Sequence, residues 1–395
     1  MKTSGMRVLA AGAAVMAIGI YAQRGFSGSS IQPKNDAAAI AVDKGAHWLV
    51  SVQGQDGGWG QDGGETSYVR QGEHLESNGN DVANTAVAAT ALLRAGNTAL
   101  TGPYHVALQR GVNFILRHVE QSPAEGLTVT DLNGTQIQRK LGPFIDTFLS
   151  SKLLAELDGN MGDARLNARV RQSLQKCVAK IEKNQLQDGS WNVAGGWAPI
   201  LGTSMASRSL FVAHQKGVAV SQMAMDKVDE YTQKGTQAAT PRAGVRGTEA
   251  SVVTGPVAGA VVADAASAGV PLYKSAQTLE QLSRTDADRK KNAREIRAIT
   301  NELENARFVS GFGSIGGEEF FSYLNISDGL HRAGGTAWEK WNGDMKTKVI
   351  RLQNEDGTWS GQHCITGRVA VTSAAMLLLL ADRDPVLIPA SARKN

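Results

Sequence analysis

The chain has 395 residues, 42% of them hydrophobic and 20% charged, enough to bury one large core and too ordinary for a disordered or membrane-embedded protein. Its formal charge of +4 falls to +2 once Lys2 and Arg7 are set aside with the N-terminal segment, and no run interleaves basic and aromatic residues. That balance argues against nucleic acid as a partner.

The N-terminus places Lys2 and Arg7 ahead of an uncharged apolar stretch, residues 8–22. This is the order of an export signal, and the stretch is shorter than the roughly 20 residues of a spanning helix. Bulky Ile20 stands where cleavage after Ala22 would prefer a small residue. Residues 1–24 therefore read as a signal peptide or an N-terminal membrane anchor, and either places the chain in an exported, periplasmic or extracellular setting. Residues 25–37 follow as a Ser/Gly-rich linker.

Helical patterns then run, in chain order, over 38–53, 80–96, 103–121, 142–157, 164–184, 201–216, 221–235, 248–268, 274–306, 316–333, 336–354 and 366–382. They alternate in character. The first, third and every second one after are amphipathic; those between are rich in Ala, Ser, Gly, Val and Leu. Helices apolar nearly all round are buried on both sides.

A short motif punctuates this order. Gln53, Asp56 and Trp59 recur with identical spacing as Gln185, Asp188 and Trp191, and again as Gln353, Asp356 and Trp359, each as Gln-x-x-Asp-Gly-x-Trp. Each copy closes an amphipathic helix and precedes a small-residue helix. Asp-Gly makes a tight reversal, because Gly supplies the positive φ that other residues resist. The Gln amide can bond backbone groups left open at a helix end, and the Trp folds over the turn as a staple. The fold expected is all-α: an (α/α)6 toroid of six hairpins over 38–382, an inner ring of small-residue helices inside an outer amphipathic ring, with 383–395 as a tail.

These three motif copies, with the small-residue helices after them, resemble the repeats shared by squalene–hopene cyclases and protein prenyltransferase β subunits. The resemblance covers most of 38–382 and implies a terpenoid cyclase-like toroid. It does not by itself imply an activity, because such repeats hold the barrel together.

The chemistry of those families has little footing here. Squalene–hopene cyclases protonate an alkene with an Asp-x-Asp-Asp motif; no Asp-Asp pair occurs, and Asp286-Ala-Asp288 lies in a highly charged helical stretch that reads as a solvated face. The patterns 80–96, 248–268 and 366–382 hold no aromatic residue to stabilise cations. Prenyltransferases need a zinc held by Asp, Cys and His, and their Asp-x-Cys pair is missing. His363 and Cys364 read as packing between loop and helix, and Cys177 as a small buried hydrophobe. No metal or other cofactor is expected. Thioester, nucleophile-elbow, metalloprotease and phosphate-loop motifs are absent as well.

The remaining candidates are polar groups near a barrel mouth. The first hairpin has an unusually long connection, 61–81, carrying Glu65, Tyr68, Arg70, Glu73, His74, Glu76 and Asp81. These residues could bind a ligand, or hydrolyse or eliminate a glycan with paired carboxyls, while Asp81 also reads as a helix N-cap. Asp146 and Glu319, with Glu318 beside it, start inner helices, where a carboxylate complements the helix dipole. With His74 they are the catalytic candidates, and His363 is a further binding candidate. A basic stretch around Lys234, Arg242 and Arg246 reads as a loop. The expected function is a ligand-binding or interaction module for a small molecule, glycan or protein. A carbohydrate-active enzyme using the 61–81 loop and a terpenoid cyclase-like enzyme are the alternatives.

Overall fold

The computed structural model describes residues 36–62, 79–191, 199–239, 269–311, 313 and 315–384. The helices are, in order, α1 (Ala37–Ser51), α2 (Val82–Arg94), α3 (His105–Gln121), α4 (Gln136–Leu141), α5 (Ile145–Leu157), α6 (Ala164–Lys183), α7 (Pro199–Gln215) and α8 (Gln222–Ala239). There follow α9 (Val270–Leu282), α10 (Asp286–Lys291), α11 (Ala293–Glu302), α12 (Ala306–Val309), α13 (Gly317–Ala333), α14 (Gly335–Arg351), α15 (Arg368–Leu379) and a 3-10 turn, Ala381–Arg383. Among the described residues no strand interrupts them; the one bridge pairs Trp59 with Asp81.

Burial sorts the helices into two layers. On α6 a single stripe is buried, Val170, Leu174, Cys177, Val178 and Ile181, at helical spacing. In α2 every residue but Leu93 is buried, and in α15 every residue but Arg368. Small side chains allow that, because a helix covered on all sides must let its neighbours approach. The inner helices α2, α5, α7, α9, α13 and α15 each pack on the next, and α15 returns to α2. Around them run α1, α3, α6, α8, α10–α11 and α14. This closed double ring is the α/α toroid.

One register in the sequence reading is corrected. The pattern 274–306 was expected to be an outer helix and 248–268 an inner one. The latter lies outside the described residues, and α9 itself is an inner helix, packed between α7 and α13. Its polar residues Gln277, Glu280 and Gln281 are buried, so they signalled an interior network rather than a wet face. The wet face begins after Thr285, where α10 buries no residue at all. Asp384, assigned to the tail, is also an interior residue.

The three motif copies adopt the same geometry. Each Trp donates its indole N–H to a carbonyl in the last turn of the preceding outer helix: Trp59 to Leu49 at 2.6 Å, Trp191 to Ile181 at 2.7 Å, Trp359 to Val349 at 2.7 Å. The helix end expected for Gln is therefore satisfied by Trp. The Gln amide instead closes its own turn and crosses to the next outer helix, donating to Ala107, Ala224 and Ala41 at 2.9, 2.9 and 2.8 Å. The last of these ties residue 353 to α1 and shuts the ring. The turn glycines Gly57, Gly189 and Gly357 have φ near +90°, and a Cβ on Gly189 would lie 2.2 Å from the Lys227 carbonyl. Close approach and backbone shape both demand glycine there.

Candidate functional site

Polar side chains gather at both ends of the inner ring. At the N-terminal end of α2, Asp81 caps the helix, accepting from Asn84 N and Asn84 Nδ2 at 2.7 Å each. Asp146, the second residue of α5, accepts from Ala83 N at 3.1 Å and Gln138 Nε2 at 2.7 Å. Its carboxylate therefore serves the open N–H groups of a neighbouring helix. Both carboxyls are buried. Burial, and then the charge of Asp146, push Asp81 up to about 7; burial pushes Asp146 up to about 6. With every oxygen engaged and almost no exposure, this pair latches α2, α4 and α5 together.

A second cluster stands where α13 begins. Glu319 accepts from Gly316 N at 2.9 Å and from the Tyr273 hydroxyl at 3.3 Å, and its Oε2 lies 3.6 Å from His363 Nε2. Burial and the nearby Glu319 raise the Tyr273 phenol. Glu318 accepts from Ile365 N at 3.2 Å through Oε2, while its Oε1 has no partner. Backbone bonds from Gln362 N to Ile315 O at 2.7 Å and from Gly317 N to Ile365 O at 2.9 Å hold the two segments together. Glu318, His363 and Cys364 thereby bring one ligand atom each within 4.8 Å of one another. His363 packs against Gly316, in keeping with a contact between loop and helix, and α13 adds Glu318 beside the adjacent pair. Both cysteines are free thiols.

At the opposite end of the inner helices the interior is ionic. Arg94 of α2 bonds Glu156 of α5 at 2.7 Å and Asp384 at 3.0 Å; Lys152 also pairs with Glu156. Arg208 of α7 pairs with Asp328 of α13 and, at 3.1 Å, with Asp384. Arg284 and Arg332 converge on Glu280 of α9, at 2.9 and 3.4 Å. All but Lys152 are buried. Burial alone would raise Asp384, but Arg94, Lys152 and Arg208 hold it well below the usual carboxylate range. Burial draws the Arg332 guanidinium down to about 10 against the pull of Glu280. This hub is not legible in the sequence, because its partners come from different helices far apart in the chain.

The other candidates divide plainly. Glu65, Tyr68, Arg70, Glu73, His74 and Glu76 lie outside the described residues, as do Arg242 and Arg246. Asp81 is the N-cap that the sequence suggested, and Asp286 and Asp288 sit on α10, which is solvated as expected. A cavity of about 350 Å³ borders α14 and Ile315 on the outer ring, with Asp344, Thr347 and Lys348 on its wall. Phe148 and Phe320 are buried in the core, and Phe144 packs against it.

The family model of the squalene-hopene cyclase C-terminal domain matches residues 27–136. Among solved structures, a variant of the type II terpene cyclase MstE from Scytonema, in complex with its substrate geranylgeranyl dihydroxybenzoate, matches at a TM-score of 0.50. The match covers 88% of this chain and 97% of that one, at 10% identity. No curated protein matches the sequence. The chain has a terpenoid cyclase-like α/α toroid.

Proposed function

We propose that this chain is a binding or interaction module which keeps the terpenoid cyclase-like toroid without cyclising a polyene. The observation that carries this reading is the ionic hub among the inner helices. Cyclisation needs an apolar, aromatic wall that stabilises a carbocation and offers it no nucleophile. Here Glu156, Glu280, Asp328 and Asp384 are buried at one end of the inner ring, each held by a buried cation. A working cyclase also needs an acid that reaches an alkene, and Asp146 spends both oxygens on Ala83 and Gln138. On this reading residues 1–24 direct the chain out of the cytoplasm, as a cleaved signal or as an anchor. No helix among the described residues is long and apolar enough to cross a membrane.

The fold likeness favours a second reading, a cyclase-like enzyme, and one experiment separates the two. The purified full chain is incubated with squalene and with geranylgeranyl dihydroxybenzoate, the substrate held by the similar cyclase, and extracts are resolved by chromatography and mass spectrometry. Both compounds are expected back unchanged. A product of equal mass and altered retention, absent with heat-denatured protein, would overturn the binding-module reading.

A further inference from the structure

The cluster at the start of α13 has the chemistry of a cation site. Carboxylate, imidazole and a thiol that gives up its proton on binding together suit a borderline divalent ion, zinc above all. A tetrahedral zinc with bonds of about 2.0–2.3 Å sets its ligand atoms roughly 3.3–3.8 Å apart. The donors of Glu318, His363 and Cys364 already lie within 4.8 Å of one another, so small rotamer adjustments close the set.

Three independent features show a built site. Glu318 is fully buried, and although its carboxylate accepts from Ile365 N and the Cys364 thiol, its Oε1 has no hydrogen-bond partner. A buried carboxylate oxygen left so is costly unless a cation meets it. Cys364 is the one non-glycine among the described residues held at positive φ, at +57°. Such strain persists where surrounding structure enforces it, and it collects at functional sites. The His363 ring is pressed against Gly316, where a Cβ would come within 2.7 Å of Nδ1, and Glu319 stands 3.6 Å from Nε2 to orient it. A carboxylate behind a ligating histidine is the usual outer partner.

We propose that Glu318, His363 and Cys364 bind one zinc ion through three protein ligands, leaving a fourth position on the partly exposed side of His363 and Cys364 for water or an external donor. The site is independent of whether the toroid cyclises anything.

The test uses cobalt(II) as the probe on the full chain after chelation and dialysis. One equivalent of cobalt is expected to give a thiolate-to-cobalt charge-transfer band in the near ultraviolet, abolished by one equivalent of zinc. Glu318→Gln should keep the band while weakening affinity by at least the roughly 10–100-fold seen when an outer partner is lost. Cys364→Gly should abolish the band. Glycine tolerates the left-handed backbone at 364, so this variant keeps its fold, checked by circular dichroism and melting. Absence of a band at one equivalent, or its survival in Cys364→Gly, would overturn the proposal.

Discussion

Replacing Asp81 by Asn should stabilise the protein at neutral pH and flatten part of its pH dependence. Asp81 rises from 3.8 to about 7 through burial and the charge of Asp146. The folded carboxyl keeps its proton where the unfolded chain has lost it. Its contribution to stability is therefore greatest below about pH 4 and is lost as the pH rises towards 7. At about 1.4 kcal/mol for each tenfold change in proton affinity, ionised Asp81 costs roughly 4 kcal/mol above that range, a burden it shares with Asp146. Asn keeps the cap to Asn84 N, since Asn and Asp cap equally well. With the Asn84 amide turned over, its own amide donates to Asn84 Oδ1, which has no partner in the native protein, in place of the bond that Asp81 Oδ2 accepts from Asn84 Nδ2. Against this stands the lost charge at the helix N-terminus, about 0.3–1 kcal/mol. The net expectation is a gain of about 1–3 kcal/mol near pH 8, absent or reversed near pH 5. Urea denaturation of both proteins at the two pH values, with unchanged m-values, measures it. Equal loss of stability by the variant at both pH values would refute the reasoning.

Gln353→Ala removes two hydrogen bonds, to Ala41 O and Gly357 O, and opens the seam between the last hairpin and α1. At about 0.5–1.5 kcal/mol per bond the loss should be about 1–3 kcal/mol, and hydrogen exchange should speed up first in α1. Asp384→Ala leaves Arg94 and Arg208 short of a counter-charge in the interior. It should cost about 3–5 kcal/mol in denaturant titration, far more than truncation of exposed Glu230, whose pair with Lys234 is largely solvated.

The toroid was legible because its signals are periodic and local. The motif Gln-x-x-Asp-Gly-x-Trp fixes a turn by adjacent residues, so three copies spell out the same hydrogen bonds. Its further reach is also written in the sequence. Each copy docks on an outer helix carrying Ala41-x-x-Lys44-Gly45, Ala107-x-x-Arg110-Gly111 or Ala224-x-x-Lys227-Val228. The Ala carbonyl receives the Gln, and in two copies the small last residue makes room for a Trp: Gly111 for Trp59 and Gly45 for Trp359. The register around α9 was misread because Glu280 and its neighbours look solvated until the distant Arg332 is placed beside them. The Glu318, His363 and Cys364 cluster was illegible for the same reason, since 45 residues separate Glu318 from His363 and only the toroid folds them together. Local pattern reveals helices and turns; polar partners from different hairpins become visible only after closure.

The most direct test of the account is incubation of the purified protein with squalene in deuterium oxide. Proton-initiated cyclisation adds a solvent proton to an alkene carbon in its first step, so even rare turnover leaves deuterium in the product. The account predicts squalene recovered without deuterium and without a cyclic isomer. Deuterium in a cyclised product, above the level of a heat-denatured control, would contradict it.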